Sequence, residues 1–256
     1  MTQRIFITGA SSGIGEALAV YYASQGATLG LVGRRREVLE ALSQRLGGGH
    51  ACYALDVTDD EALRRAAADF MQRFGTPHLV IASAGVSAGT LTEHAEDLPA
   101  FRRIMAINVT GMAATFAPFI PAMKVLAGER RLVGIASVAG IRGLPGAEAY
   151  SASKAAAIAY LESLRLEMRP FGIPVVTIAP GYIATPMTAV NPYRMPFLLP
   201  AEAAAPRFAR VIARGRSYAV IPWQMGIVAK LLRLLPNWLY DHLFASAPRK
   251  PRGLLK

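Results

Sequence analysis

Thr8-Gly9-Ala10-Ser11-Ser12-Gly13-Ile14-Gly15 follows the β-branched and aromatic run Ile5-Phe6-Ile7 and opens a helix-forming segment over Glu16–Gln25. The order is strand, glycine turn, helix start. Glycine lacks a Cβ, so it accepts turn geometries that other residues avoid and lets a ligand come close to the main chain. The helix N-terminus adds unpaired N–H groups and positive potential. A diphosphate is the kind of group such a turn holds, and the stretch reads as a dinucleotide cradle. Its G-x-x-x-G-x-G spacing is longer than the general G-x-G-x-x-G fingerprint, which brings the hydroxyls of Thr8, Ser11 and Ser12 within reach of the same ligand. A tight turn with no ligand uses the same glycines, so the rest of the chain must decide between the two readings.

Outward from this motif, apolar runs punctuated by glycine and proline place strands near 4–8, 28–32, 50–54, 78–82, 131–136, 173–179 and 217–221, with helical segments between them. The strands are continuous apolar runs, the pattern of a sheet covered on both faces. Strand and helix in alternation predict an α/β fold, a Rossmann-like, doubly wound, seven-stranded parallel sheet flanked by helices. A chain of 256 residues, 53% hydrophobic and 18% charged, can bury one large core. One domain is expected, with 1–222 as its dinucleotide-binding, catalytic part and 223–256 as a helical extension and basic tail.

A second motif, Tyr150-Ser151-Ala152-Ser153-Lys154, lies at a helix start, and Ser137 ends the apolar run Leu132-Val133-Gly134-Ile135-Ala136 thirteen residues before Tyr150. Tyrosine and lysine four apart share a helix face. With the glycine turn, this pattern resembles the short-chain dehydrogenase/reductase family, from Arg4 to about Pro222. Asp56-Val57, Ala84-Gly85, Asn108-Val109-Thr110-Gly111, Pro180-Gly181 and Thr185-Pro186-Met187 stand in the order the resemblance requires. Ser83 replaces the asparagine usual before the Ala-Gly pair, which puts one cofactor-loop hydrogen bond in doubt.

The resemblance implies a nicotinamide dinucleotide held by Gly9, Ser11, Ser12, Gly13, Ile14, Gly15, Asp56, Val57, Ala84, Gly85, Pro180, Gly181, Ile183 and Thr185, together with Tyr150 and Lys154. It implies catalysis by Asn108, Ser137, Tyr150 and Lys154, with Asn108 orienting a water that relays protons to Lys154. Hydride transfer to a carbonyl leaves negative charge on oxygen, so a proton donor is needed. Tyr150 is the candidate. A phenol titrates near pH ~10, and a cation one turn along favours its phenolate form. Lys154 is expected to lower the Tyr150 pKa by about three units, roughly 4 kcal/mol of differential stabilisation. Ser137 would hydrogen-bond the substrate oxygen.

Charge argues the choice of cofactor. When NAD is bound, an acid commonly ends the second strand and holds the adenosine ribose. Here Gly33 takes that place and Arg34-Arg35-Arg36 follows, so a 2′-phosphate is expected on Arg34 and NADP(H) as cofactor. A solvated basic helix start is the alternative reading.

The segment from Tyr182 to Leu199 falls where the family places a substrate lid, and it is apolar. With Ile141 and Leu144 it points to a hydrophobic ketone or acyl-chain carbonyl, although a lid also needs such residues for its own packing. The helical stretch Trp223–Leu235 places Ile227, Val228, Leu231, Leu234 and Leu235 on one side, and a tail with Arg249, Lys250, Arg252 and Lys256 follows. That apolar side would cover the pocket, meet another subunit or lie on a membrane surface; Pro236 divides the run, so spanning is not expected.

The balance of 28 Lys plus Arg against 17 Asp plus Glu gives a net +11. No nucleic-acid-binding module accompanies it, and no nucleic-acid partner is expected. An acyl carrier protein is a candidate partner for Arg102, Arg103, Arg130, Arg131, Arg165 and Arg169. Cys52 alone forms no intrachain disulfide and is read as a core residue, the four histidines show no ligand spacing and predict no metal site, and no leader is expected before Arg4. A cytoplasmic homodimer or homotetramer is expected, with surface membrane association as a further option. The function expected is NADPH-dependent reduction of a hydrophobic ketone or 3-oxoacyl carbonyl; a noncatalytic NADP-binding sensor or interaction protein on the same fold is the alternative.

Overall fold

The computed structural model describes residues 2–255. Its strands are β1 Arg4–Thr8, β2 Thr28–Gly33, β3 Ala51–Ala54, β4 Leu79–Ala82, β5 Arg131–Ile135, β6 Val175–Pro180, β7 Ile183–Ala184, β8 Leu199–Pro200 and β9 Tyr218–Ile221. Its helices are α1 Gly13–Ser24, α2 Arg36–Arg45, α3 Asp60–Phe74, α4 Leu98–Met105, α5 Gly111–Phe116, α6 Ile120–Val125, α7 Glu148–Met168, α8 Pro186–Ala189, α9 Ala201–Ala213, α10 Trp223–Leu234 and α11 Asn237–Phe244.

Seven strands form one parallel sheet in the order β3-β2-β1-β4-β5-β6-β9. The chain runs from β1 outward to β3, then returns to the other side of β1 and continues through β4 to β9. Connections on the two sides leave in opposite directions, so a crevice opens beyond the C-terminal ends of β1 and β4. The seven strands expected from sequence are all present, with ends shifted by at most two residues. The two-residue β7 and β8 pair outside the main sheet and were not expected.

Alternation along β1 sends Ile5 and Ile7 to one face and Phe6 to the other. The first face packs Leu29, Leu31, Ile81 and Ile178 against α1 and α9, which contribute Tyr22 and Phe208. On the second, the Phe6 ring meets Phe70 at 5.5 Å and Phe119 at 4.7 Å, and Leu161 of α7 joins the same cluster. Helices on both faces therefore fix the sheet and leave its C-terminal edge free for a site. Cys52 is only half-buried in β3, where its Sγ donates to the Leu39 carbonyl at 3.4 Å.

The central helix expected around Asn108 is interrupted. A π-helical turn, Ala106–Thr110, separates α4 from α5. Gly111 then comes so close to the loop after β3 that a Cβ there would lie 2.8 Å from a Val57 methyl.

Of the three roles open to the apolar side of the C-terminal helix, covering the pocket is the one the structure goes against. α10 is seated through Met225 and Ala229, with Gly226 against Val220, while Ile227, Leu231 and Leu234 of that side are exposed. A glycine, an alanine and a flexible methionine let the helix lie close to β9, and the apolar stripe is left outside. Lys256 lies outside the described residues.

Candidate active site

The glycine turn is built by close approach. Gly9 has φ +71°, and a Cβ there would stand 2.8 Å from the Ala84 backbone, so the turns after β1 and β4 touch. A Cβ on Gly15 would collide with the Gly9 carbonyl, and the space beside Gly13 is closed by the Thr185 methyl at 3.1 Å. Ser12 makes no side-chain capping bond to α1. The first N–H groups of that helix therefore face the cleft with room for an anion, the arrangement a diphosphate requires.

One cleft gathers every residue expected to hold the cofactor. Its lining includes Gly9, Ser11, Ser12, Gly13, Ile14 and Gly15 from the turn, and Gly33, Arg34 and Arg35 after β2. Asp56 and Val57 follow from β3, and Ser83, Ala84 and Gly85 from β4. Pro180, Gly181, Ile183 and Thr185 close the far side, and Ser137, Tyr150 and Lys154 also line the cleft.

Asp56 holds its loop in shape. Burial raises its pKa, but hydrogen bonds from the Thr58 amide and hydroxyl and from Arg103 outweigh that and keep it below the ordinary carboxylate value. The three arginines divide: Arg35 donates to the Ser11 carbonyl at 3.0 Å, Arg36 pairs with Glu40, and Arg34 has no ion-pair partner among the described residues. Arg34 is exposed at the end of the cleft.

Ser137, Tyr150 and Lys154 converge from two elements. Ser137 stands two residues beyond β5 and accepts from the Ala139 amide at 3.1 Å, which fixes its hydroxyl beside the Tyr150 phenol. Gly140 lies against the Lys154 and Ala155 backbone, where a Cβ would be 2.5 Å from the Lys154 carbonyl carbon, so this loop presses onto α7. Lys154 is 4% exposed; its Nζ donates to the Ile135 carbonyl at 2.8 Å and stands 5.8 Å from the Tyr150 ring centroid.

This geometry corrects the expected depression of Tyr150. Burial raises the phenol above its ordinary value, with the Ser137 hydrogen bond opposing, and burial lowers Lys154 to about 8. Both groups are pulled toward neutrality, and the ammonium turns to a main-chain carbonyl instead of the phenol.

Asn108 does not line the cleft directly. It is fully buried, its Nδ2 donates to Val86 O at 3.0 Å and Ser153 Oγ at 2.9 Å, and its Oδ1 accepts from Val86 N at 2.9 Å. Both amide hydrogens are used, so the side chain positions the loop after β4. Its Oδ1 and the Lys154 ammonium border the same small space above Gly85, 3.3 and 3.6 Å from where a Cβ would sit.

The substrate side contains residues that sequence reading missed. Residues beyond α11 fold back as a strap: Lys250 Nζ donates to Met187 O at 3.0 Å, the Gly89 amide donates to Pro251 O at 2.9 Å, and Arg252 binds Asp97 at 2.6 Å and Glu96 at 2.9 Å. Burial brings the Lys250 pKa to about 8. Arg142, in the loop before Tyr150, donates to the carbonyls of Leu232 and Leu235 and lies over the Tyr240 ring at 3.8 Å, while Tyr240 donates to Gly143 O. A lone arginine in an apolar loop was the only available signal. Within the lid, Tyr193 stacks edge-on with Tyr182 at 6.5 Å and lies near Tyr150.

The arginines considered for carrier docking do not form one patch. Arg103 is held by Asp56, and Arg130 and Arg131 lie at the N-terminal end of β5, opposite the cleft.

A family model described as short chain dehydrogenase matches residues 3–194. The chain belongs to the short-chain dehydrogenase family. As a member it is an oxidoreductase of alcohol and carbonyl groups that uses a nicotinamide cofactor. An uncharacterized oxidoreductase of Myxococcus xanthus is 39% identical over 243 residues, covering 92% of this chain and 93% of that one. Among solved short-chain dehydrogenases, one from Burkholderia cenocepacia in complex with NADP matches with a TM-score of 0.81 and 25% identity, over 94% of this chain and 97% of that chain. One from Burkholderia phymatum in complex with NAD has a TM-score of 0.82 at 24% identity, over 99% of this chain and 98% of that chain, a likeness of fold.

Proposed function

We propose that this short-chain dehydrogenase reduces a hydrophobic ketone or 3-oxoacyl carbonyl with NADPH, in a reversible hydride transfer. The observation that carries the reading is one cleft with Ser137, Tyr150 and Lys154 along it and, at its end, Arg34 without an ion-pair partner among the described residues. Among the residues that would hold the dinucleotide, the α1 N-terminus and glycine turn would meet the diphosphate, Arg34 its 2′-phosphate, and Lys154 the nicotinamide ribose. Bound there, the reduced nicotinamide supplies the hydride.

The chain's own groups do the rest. Ser137 donates to the carbonyl oxygen and orients it. Tyr150 gives its phenolic proton to that oxygen as negative charge develops, and its high pKa before reaction keeps the proton available at neutral pH. Lys154 stabilises the phenolate left behind, and solvent reprotonates Tyr150. In the opposite direction the phenolate takes the alcohol proton. The apolar lid, with Met187 lining the cleft and Tyr193 near Tyr150, favours a hydrophobic substrate.

The reading includes a cytoplasmic homodimer or homotetramer. α7 exposes Ala152, Ala155 and Ala159 along one side, small enough for close helix approach, whereas Ala157 is already buried in its own chain. The decisive experiment is NADPH oxidation across ketones and 3-oxoacyl thioesters of increasing chain length, with Tyr150→Phe as control. Turnover that rises with chain length and disappears in the variant is expected. Confirmed NADPH binding with no turnover across the panel would move the assignment to a noncatalytic sensor.

A further inference from the structure

α10 and α11 carry the chain's only two tryptophans, Trp223 and Trp238, and both are largely exposed, at 66% and 72%. Ile227, Leu231, Leu234 and Leu243 are exposed beside them. Positions 223, 227, 231 and 234 follow helical spacing, so on α10 they form one stripe, opposite the Met225 and Ala229 side that seats the helix. A soluble surface seldom carries so many large apolar groups together without a partner.

The charges around the stripe identify that partner. The two helices carry Lys230 and Arg233 against one acid, Asp241, whereas Lys250 and Arg252 of the strap are engaged at Met187 and at Asp97 and Glu96. Lys230 and Arg233 are exposed on α10 with no ion-pair partner among the described residues. A second copy meeting this stripe about a two-fold axis would bring the same cations toward one another, whereas an anionic lipid surface satisfies them. Indole rings suit the headgroup level, aliphatic side chains the acyl boundary, and lysine and arginine stems reach back to phosphate. No helix among the described residues is long and apolar enough to cross a membrane.

We propose that α10 and α11 dock this protein flat on an anionic phospholipid bilayer. Arg142 and Tyr240 fasten that helical pair to the loop before Tyr150, so docking holds the substrate side of the cleft near the surface.

The two tryptophans serve as native reporters. The full chain would be mixed with phosphatidylcholine vesicles containing about 30% phosphatidylglycerol, and with pure phosphatidylcholine vesicles, then followed by tryptophan emission and cosedimentation. A blue shift and sedimentation with the anionic vesicles are expected, weakened in pure phosphatidylcholine and in high salt. Leu231→Glu and Ile227→Glu change exposed positions and should keep native circular dichroism while binding at least about 10-fold more weakly. Absence of sedimentation with anionic vesicles, or equal binding by the variants, overturns the proposal. A dimer that Leu231→Glu dissociates, without any lipid binding by the wild type, assigns the stripe to a second copy instead.

Discussion

The ammonium of Lys154 donates to the main-chain carbonyl of Ile135 at 2.8 Å from a position almost closed to solvent. Burial lowers its pKa from 10.5 to about 8. Between those values the unfolded chain binds a proton that the folded chain has released, so this group makes stability rise with pH from about 8 toward 10.5. Below pH 8 the cost of the buried cation is fully present, about 3 kcal/mol. Lys154→Met should therefore stabilise the cofactor-free protein at pH 7 by up to about 3 kcal/mol while removing turnover, the trade expected at a functional site. Urea unfolding at pH 7, 8 and 9 checks it. The variant should lose part of the slope and keep the part due to Lys250, also near 8. A destabilised variant would mean that the Ile135 hydrogen bond outweighs desolvation.

Tyr150→Phe removes one oxygen from the side chain whose proton completes the reduction. The phenol contributes no buried packing that phenylalanine lacks, so turnover should fall by roughly 10²–10⁴-fold. NADPH affinity, measured by fluorescence titration, should stay within a few-fold. A variant that retains its rate would transfer the acid role to Ser137 or to water.

Legibility along the chain followed the distance over which each residue acts. The glycine turn, the Tyr150-to-Lys154 spacing and the apolar strands are read from neighbours within a dozen residues, and the cleft is assembled from such local pieces at the sheet's C-terminal edge. The strap was not legible, because Arg252 finds its partners at Asp97 and Glu96, and nothing in a basic tail says which acid it will meet. For α10 the apolar periodicity marks the exposed stripe and leaves its role open between pocket, subunit and membrane, whereas the seat depends on small residues, Gly226 and Ala229, which carry little hydropathy. The Tyr150 pKa departs from its expected depression because spacing fixes which helix face Lys154 shares, not which acceptor its long side chain chooses.

Arg34 is the member of its triplet left free to meet a ligand, since Arg35 and Arg36 are engaged within the chain. Arg34→Ala should lower the preference for NADPH over NADH by about 10- to 100-fold, the loss expected from a charge-assisted contact. Dissociation constants for both cofactors supply the ratio. An unchanged ratio would remove Arg34 from cofactor selection and leave the exposed triplet as a solvated helix start.

Arg252 fastens the strap to the loop after β4, and the strap touches Met187 and Gly89 on the substrate side without reaching the glycine turn. Its release should therefore act on one ligand and not the other. Arg252→Ala is expected to raise KM for the carbonyl substrate by a few-fold, with kcat nearly unchanged and NADPH affinity as in the wild type, the pattern of lost uniform substrate binding. Arg252→Lys should recover only part of the effect, because a single ammonium cannot reproduce the two-carboxylate contact of the guanidinium. Steady-state kinetics with each substrate varied in turn separate the cases. An equal loss of NADPH affinity would show that the strap supports the whole domain and has no particular part in substrate binding.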